Sequence, residues 1–154
     1  MRFVLVDRFL SVEPGRRSVA VKTFDPQDPV FEDHFPGFPV VPGVLLTEAI
    51  GQTAGWLLAS TLGTERWPLL VRVDRARFMR LVRPGEEIRL EAEVTSVHDD
   101  TFETRGSATV AGERAADARL LFHAFPRPDA AAAAGFDAWA RDVARRTGLA
   151  ALLP

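Results

Sequence analysis

A histidine and a glutamate, His34 and Glu48, stand where a buried core would be expected to carry neither. They fall in the stretch FEDHFPGFPVVPGVLLTEAIGQTAG, residues 31–55. His34 sits in a loop stiffened by Pro36, Pro39 and Pro42, and Glu48 sits among Leu45, Leu46, Ala49 and Ile50. A carboxylate in apolar company is costly unless it has a partner. An imidazole and a carboxylic acid converging on a dry pocket can divide the work of a base and an acid. Gln52, one helical turn after Glu48, shares its face and can orient the carboxyl. Gly43 offers a backbone N–H at a helix start, where partial positive charge can hold a developing oxyanion. Together these groups suit removal of a proton next to a thioester carbonyl with loss of a nearby hydroxyl. From pattern alone, a histidine in a proline-rich loop is more often a hydrogen bonder that pins the loop. His98, beside Asp99 and Asp100, reads as a surface turn, and His123, near Leu121 and Phe125, as structural.

The elements that must position these residues can be read from periodicity. Residues 8–24 read as a hairpin, with Glu13-Pro14-Gly15-Arg16 as its turn and SVAVKTF alternating after it. Residues 25–42 contain five prolines and are expected to be irregular. GVLLTEAIGQTAGWLLASTLG reads as a helix of about five turns. Pro42 suits its first position and Gly63 its C-terminal cap. It is apolar nearly all round, so burial on most sides is expected. Ile88, Leu90, Ala92 and Val94 then alternate with polar residues, as do Phe102, Thr104, Ala108 and Val110, and Leu120 and Phe122. That alternation argues for antiparallel strands with one packed face. Pro84-Gly85, Asp99-Asp100 and Ala111-Gly112 mark turns. The fold class is α+β, with an antiparallel sheet wrapped around one long helix. PRPDAAAAAG reads as a linker, followed by a short amphipathic helix carrying Phe136, Trp139, Ala140 and Val143. Residues 1–126 are thus expected to form the main domain and 127–154 an Ala-rich linker and helix.

Composition narrows the function classes. The chain has 154 residues, a net charge of −2 and no cysteine. Nucleic acid is not an expected partner, and disulfides, thiolate ligands and cysteine nucleophiles are excluded. No apolar run approaches the roughly 18 residues of a membrane span. Asp7 and Arg8 break the apolar stretch near the start, with no small-residue cleavage site after it, so no secretory leader is expected and a cytoplasmic location is the default.

HFPGFPVVPGVLLTEAIGQTAG closely resembles the hot-dog-fold 3-hydroxyacyl-[acyl-carrier-protein] dehydratases of bacterial type II fatty acid synthesis. The family pattern H-F-P-G-x-P-x-x-P-G-V, then apolar residues, then E-A-x-x-Q, is met by His34, Phe35, Pro36, Gly37, Pro39, Pro42, Gly43, Val44, Glu48, Ala49 and Gln52. FVLVDRFL and VDRARFMRLVRPGEEIRLEAEV also look like family segments, so the resemblance covers about residues 3–125. It implies dehydration of a 3-hydroxyacyl carrier thioester to the trans-2-enoyl thioester, in fatty acid or related polyketide or polyene synthesis. It implies His34 and Glu48 as catalytic residues supplied by different subunits of a dimer or trimer of dimers. Gly43 would hold the thioester carbonyl, with Gln52, Phe35, Pro36 and Gly37 in support, and the acyl chain would enter a tunnel along the central helix. No metal or organic cofactor is implied. The chain departs from the family in having no tyrosine where many members use one as a tunnel gate; Phe31 is the nearest aromatic residue. Residues 127–154 are an addition. A hot-dog acyl thioesterase and a non-catalytic acyl-binding subunit are the alternatives. Arg72, Arg75, Arg77, Arg80 and Arg83 crowd into residues 72–83. The last four are expected to dock the acidic acyl carrier protein, although a solvated strand edge explains the same charges.

Overall fold

The computed structural model describes residues 3–151; the outermost residues of the two expected units, 1–2 and 152–154, lie outside them. Strands β1 (Arg8–Glu13) and β2 (Arg17–Thr23) form the expected hairpin. Its tip is tied to the end of the long helix by the Gly15 N–H, which donates to Thr61 Oγ1 at 2.6 Å. A single turn of helix, α1 (Val30–Asp33), leads into His34. It corrects the expectation of wholly irregular backbone over 25–42: Pro29 caps it and Phe31 anchors it in the core. The long helix α2 spans Gly43–Leu62, with Pro42 just outside its first turn and Gly63 as its C-cap at φ 68°. Strands β3 (Arg66–Phe78), β4 (Glu87–His98), β5 (Thr101–Val110) and β6 (Glu113–Pro126) follow. The six strands make one antiparallel sheet in the order β1-β2-β4-β5-β6-β3.

The sheet curls around α2, the hot-dog arrangement. Its packed face carries Ile88, Leu90, Ala92, Phe102, Ala108, Leu120 and Phe122, set against Leu46, Ile50, Leu57 and Leu58 of the helix. The helix seats deeply because the sheet is lined with small residues where the two meet. Gly106 faces Ala118 and Ala108 faces Ala116 across the β5–β6 ladder. A Cβ built on Gly106 would lie 2.3 Å from Ile50 Cγ2 and 2.8 Å from the Glu91 carbonyl oxygen. The helix is buried or half-buried along most of its length, as expected, but one flank is less deeply covered than the rest. Val44 is 72% exposed, while Glu48, Gln52, Gly55 and Trp56 are half-buried. The reason is geometric: one sheet face covers one side of a cylinder, and here the other flank borders open space.

The Ala-rich segment is not a linker. Asp129 accepts hydrogen bonds from the Ala131 and Ala132 N–H groups at 3.0 Å, capping helix α3 (Ala130–Arg146). An N-cap aspartate before a run of the best helix former starts a helix by local physics alone. The far end of α3 is fixed to the sheet: Thr147 O accepts from Phe9 N at 2.8 Å, and Leu149 is buried. Gly106→Ala should therefore destabilise the fold by about 1–3 kcal/mol, because the backbone oxygen of Glu91 cannot step aside. Chemical denaturation measures this directly; an unchanged midpoint would show that α2 has slack against the sheet.

Candidate active site

The His34 loop is built by its own backbone. Phe38 N donates to Phe35 O at 2.9 Å, closing a turn with Pro36 and Gly37 at its centre. Val40 N returns to His34 O at 3.3 Å, and His34 Nδ1 meets Val40 O at 2.9 Å. A carbonyl oxygen can only accept, so Nδ1 is the donor. In the neutral ring this leaves the Nε2 lone pair free to take a proton. The ring is half-buried, beside the exposed Phe35 at 4.3 Å between centroids. Phe31, the aromatic residue nearest to where many family members place a gating tyrosine, is buried in the core. Phe35 and Phe38 are the exposed aromatics of this loop.

Helix α2 presents the second group. Gly43 opens the helix, and the Phe78 ring of β3 packs so closely on it that a Cβ there would come within 3.0 Å of three ring atoms. A side chain at this position would have to push the Phe78 ring aside. Glu48 lies one and a half turns on, and Gln52 Nε2 donates to its Oε1 at 3.0 Å. The Gln52 amide is held from the N-terminal segment: Leu5 N donates to Gln52 Oε1 at 2.7 Å, and Gln52 Nε2 also donates to Phe3 O at 3.3 Å. The carboxyl is thus aimed by a chain of hydrogen bonds running from Leu5 through Gln52.

Glu48 and Gln52 open onto an apolar cavity of about 370 Å³. Gly51, Gly55, Trp56 and Ala59 continue its helical wall, Leu69, Leu70 and Phe122 form its sheet wall, and Phe136 and Trp139 of α3 close it. Glu48 lines this cavity and His34 does not. The four arginines expected to dock the carrier also divide. Arg75 and Arg77 face a polar hollow on the outer side of the sheet, where Arg77 pairs with Asp117 at 2.9 Å. Arg80 pairs with Glu86 at 2.7 Å and holds Glu86 well below the usual carboxylate range through that hydrogen bond. Arg83 lies over the Phe38 ring at 4.6 Å, beside the His34 loop. Arg72 pairs with Asp74. His98 is exposed, and His123 meets Thr101 Oγ1 at 3.3 Å, both as expected for residues outside the site.

Sequence reasoning did not reach Leu5, Trp56, Phe136 or Trp139 as parts of this site. Trp56 carried a signal, lying two turns after Glu48 on the same helical face. Leu5 carried none, because what it supplies is a backbone N–H from 47 residues away.

A sheet curled around one helix, with a carboxyl on the free helical flank and an apolar cavity beneath it, defines a hot-dog-fold protein. Residues 1–124 match the family model of the FabA-like domain. The 3-hydroxyacyl-[acyl-carrier-protein] dehydratase FabZ of Pelotomaculum thermopropionicum is 43% identical over 121 residues, covering 78% of this chain and 86% of its own length. The FabZ dehydratase of Bacillus pumilus is 41% identical over 129 residues, covering 81% and 88%. A chain of the dehydratase heterocomplex ApeI:P from Xenorhabdus doucetiae has the same fold, with a TM-score of 0.59 at 17% identity over 75% of this chain and 96% of that one. The chain belongs to the FabA-like family of 3-hydroxyacyl-[acyl-carrier-protein] dehydratases.

Replacing Gln52 by alanine should cost about 1–3 kcal/mol, because the N–H of Leu5, a residue with no exposed surface, loses its acceptor. Glu48→Gln should cost much less. Paired denaturation curves test the difference; equal losses would mean that Gln52 does not anchor the site.

Proposed function

We propose that the protein dehydrates a 3-hydroxyacyl-[acyl-carrier-protein] thioester to the trans-2-enoyl thioester, with His34 as base and Glu48 as acid. The observation that carries this reading is Glu48, held by Gln52 at the mouth of an apolar cavity in a chain of this family. His34 Nε2 takes the proton from C2 of the acyl chain. Those electrons form the C2–C3 double bond, the C3–O bond breaks, and the hydroxyl leaves as water with the proton of Glu48. Both groups are reset by exchange with solvent. The Gly43 N–H holds the thioester oxygen while charge builds on it. Phe35, Pro36 and Gly37 support the loop that carries His34.

His34 and Glu48 then have to meet across two chains. Strand β3 is a 13-residue edge whose outer half is exposed from Leu69 to Phe78. Leu69, Leu70, Val71, Val73 and Phe78 of the strand, with Met79 and Leu81 just past it, are exposed apolar residues interspersed with Arg72, Asp74, Arg75 and Arg77. A long exposed edge strand is a template for another strand, and a patch of this kind marks an interface. Phe78 packs on Gly43, so a second copy added along β3 comes up against the start of α2. We read the protein as a homodimer, or a trimer of such dimers, with each site shared. No helix among the described residues is long and apolar enough to cross a membrane, and we read the enzyme as cytoplasmic.

Incubation with a 3-hydroxyacyl carrier thioester separates the possible activities by product. An enoyl thioester supports the reading, whereas a free thiol means a thioesterase and an unchanged substrate an acyl-binding subunit. His34→Ala should lower turnover by about 10²–10⁴ with the fold intact; a variant retaining more than about a tenth of wild-type rate would remove His34 from the role of base.

Carrier docking is assigned to Arg75, Arg77, Arg80 and Arg83, with Arg83 beside the His34 loop and Arg80 on Glu86. Basic groups at a site entrance steer an acidic partner. Arg80→Glu with Arg83→Glu should raise the KM for carrier-bound substrate but not for a pantetheine mimic. The wild-type preference for the carrier should fade as salt shortens the Debye length below about 8 Å. If both substrates slow equally, these residues are structural.

A further inference from the structure

The cavity beside Glu48 is closed by a part of the chain that the family domain does not include. The family match ends at residue 124, and α3 begins at Ala130. Helix α3 lies so that Phe136 and Trp139 face the cavity, with Ala140 and Asp137 beside them. Their rings form one chain of contacts with the core: Trp67 to Phe136 at 4.3 Å, Phe136 to Trp139 at 5.3 Å, and Trp139 to Trp56 at 5.9 Å between centroids. An ion pair between Arg127 and Asp137 ties the middle of the helix to the chain just past β6. Phe136 and Trp139 each remain 43% exposed, so they form a wall between cavity and solvent instead of joining the core.

Trp56 and Trp139 also border a second, outer cleft of about 640 Å³, lined by Phe3, Val4, Asp142 and Arg146. The stacked pair therefore stands between two spaces, and Glu48 and Gln52 border both. The inner space is narrow for an acyl chain. Its volume of about 370 Å³ lies near the small end of the roughly 300–1,000 Å³ found for small-molecule sites. Its helical wall is opened by Gly51 and Gly55, where a Cβ would meet only ordinary contacts at 3.7–4.0 Å, so room has been left along the helix and closed off at α3.

We propose that α3 is the specificity wall of the acyl tunnel, with Phe136 and Trp139 setting the length and bulk of the chain that can lie beside Glu48. This rests on the dehydratase reading of Glu48, and it adds that an appended helix, outside the family domain, selects the substrate. Removing the Trp139 side chain joins the inner cavity to the outer cleft and admits a longer chain. Filling the opposite wall, at Ala59, does the reverse.

The experiment compares 3-hydroxyacyl carrier thioesters of increasing chain length on the full-length protein and two variants, with melting curves for each. The ratio of long-chain to short-chain kcat/KM should rise about tenfold or more in Trp139→Ala and fall by a similar factor in Ala59→Phe, the scale on which apolar pockets discriminate chain length. A ratio is insensitive to a general loss of active protein, and opposite signs in two variants cannot come from destabilisation. A second readout does not need turnover. All three tryptophans of the chain, Trp56, Trp67 and Trp139, line this cavity. A saturated acyl-pantetheine thioester brominated at its chain end has no hydroxyl to lose and should quench their fluorescence. Quenching without enoyl product at any length would leave the wall in place and overturn the dehydratase reading. An active wild type with no quenching, or with ratios unmoved by both variants, would overturn the wall.

Discussion

The amide of Gln52 is the interaction on which the site depends. A glutamate on an otherwise apolar helix has few ways to be held at a defined angle, and here one side chain supplies the hold. Gln52 donates to Glu48 and accepts from Leu5, so the N-terminal segment, the central helix and the carboxyl are coupled through a single group. Such a chain is rigid because each member is satisfied by the next, and a half-satisfied version would cost more than an apolar replacement. The His34 loop follows the same logic on a smaller scale. Its backbone closes on itself through Phe35, Phe38 and Val40, and the Val40 carbonyl fixes which ring nitrogen carries the proton.

The scaffold makes this possible by putting small residues where the helix meets the sheet. Gly106, Ala108, Ala116 and Ala118 let α2 sink into the concave face, burying Ile50 and Leu57 while leaving Glu48 on the free flank. The β3 edge is long and exposed, with apolar residues set among its charges, and the helix start that it borders through Phe78 carries the Gly43 N–H. One constraint, a single sheet covering one side of a helix, thus accounts for the cavity beside Glu48 and the exposed β3 edge together.

Much of this was legible in the sequence. The hairpin, α2 and strands β4 to β6 announce themselves because their periodicities are clean and their turns carry Pro, Gly and Asp. His34, Gly43, Glu48 and Gln52 were legible because residue types that do chemistry stand out against proline-rich or apolar surroundings, and because their spacing matches a family. The start of α3 was misread since five alanines look like low complexity. Asp129 before them is the cap that turns the run into helix. The arginines of β3 read as one patch, but a strand sends its side chains to two sides, and the bulges at Leu70/Arg72 and Val73/Arg75 shift the register further. The contacts between Trp56 and Trp139 and between Leu5 and Gln52 had no local signature, since each joins positions far apart in the chain.

The central claim is that each active site is completed by two chains, and subunit exchange between two inactive variants tests it most directly. His34→Ala and Glu48→Gln proteins, mixed under conditions where exchange is verified, should regain turnover. About a quarter of the wild-type sites should be active, because half of randomly assorted dimers are mixed and each mixed dimer holds one intact site. A mixture that exchanges subunits and stays inactive would contradict the account.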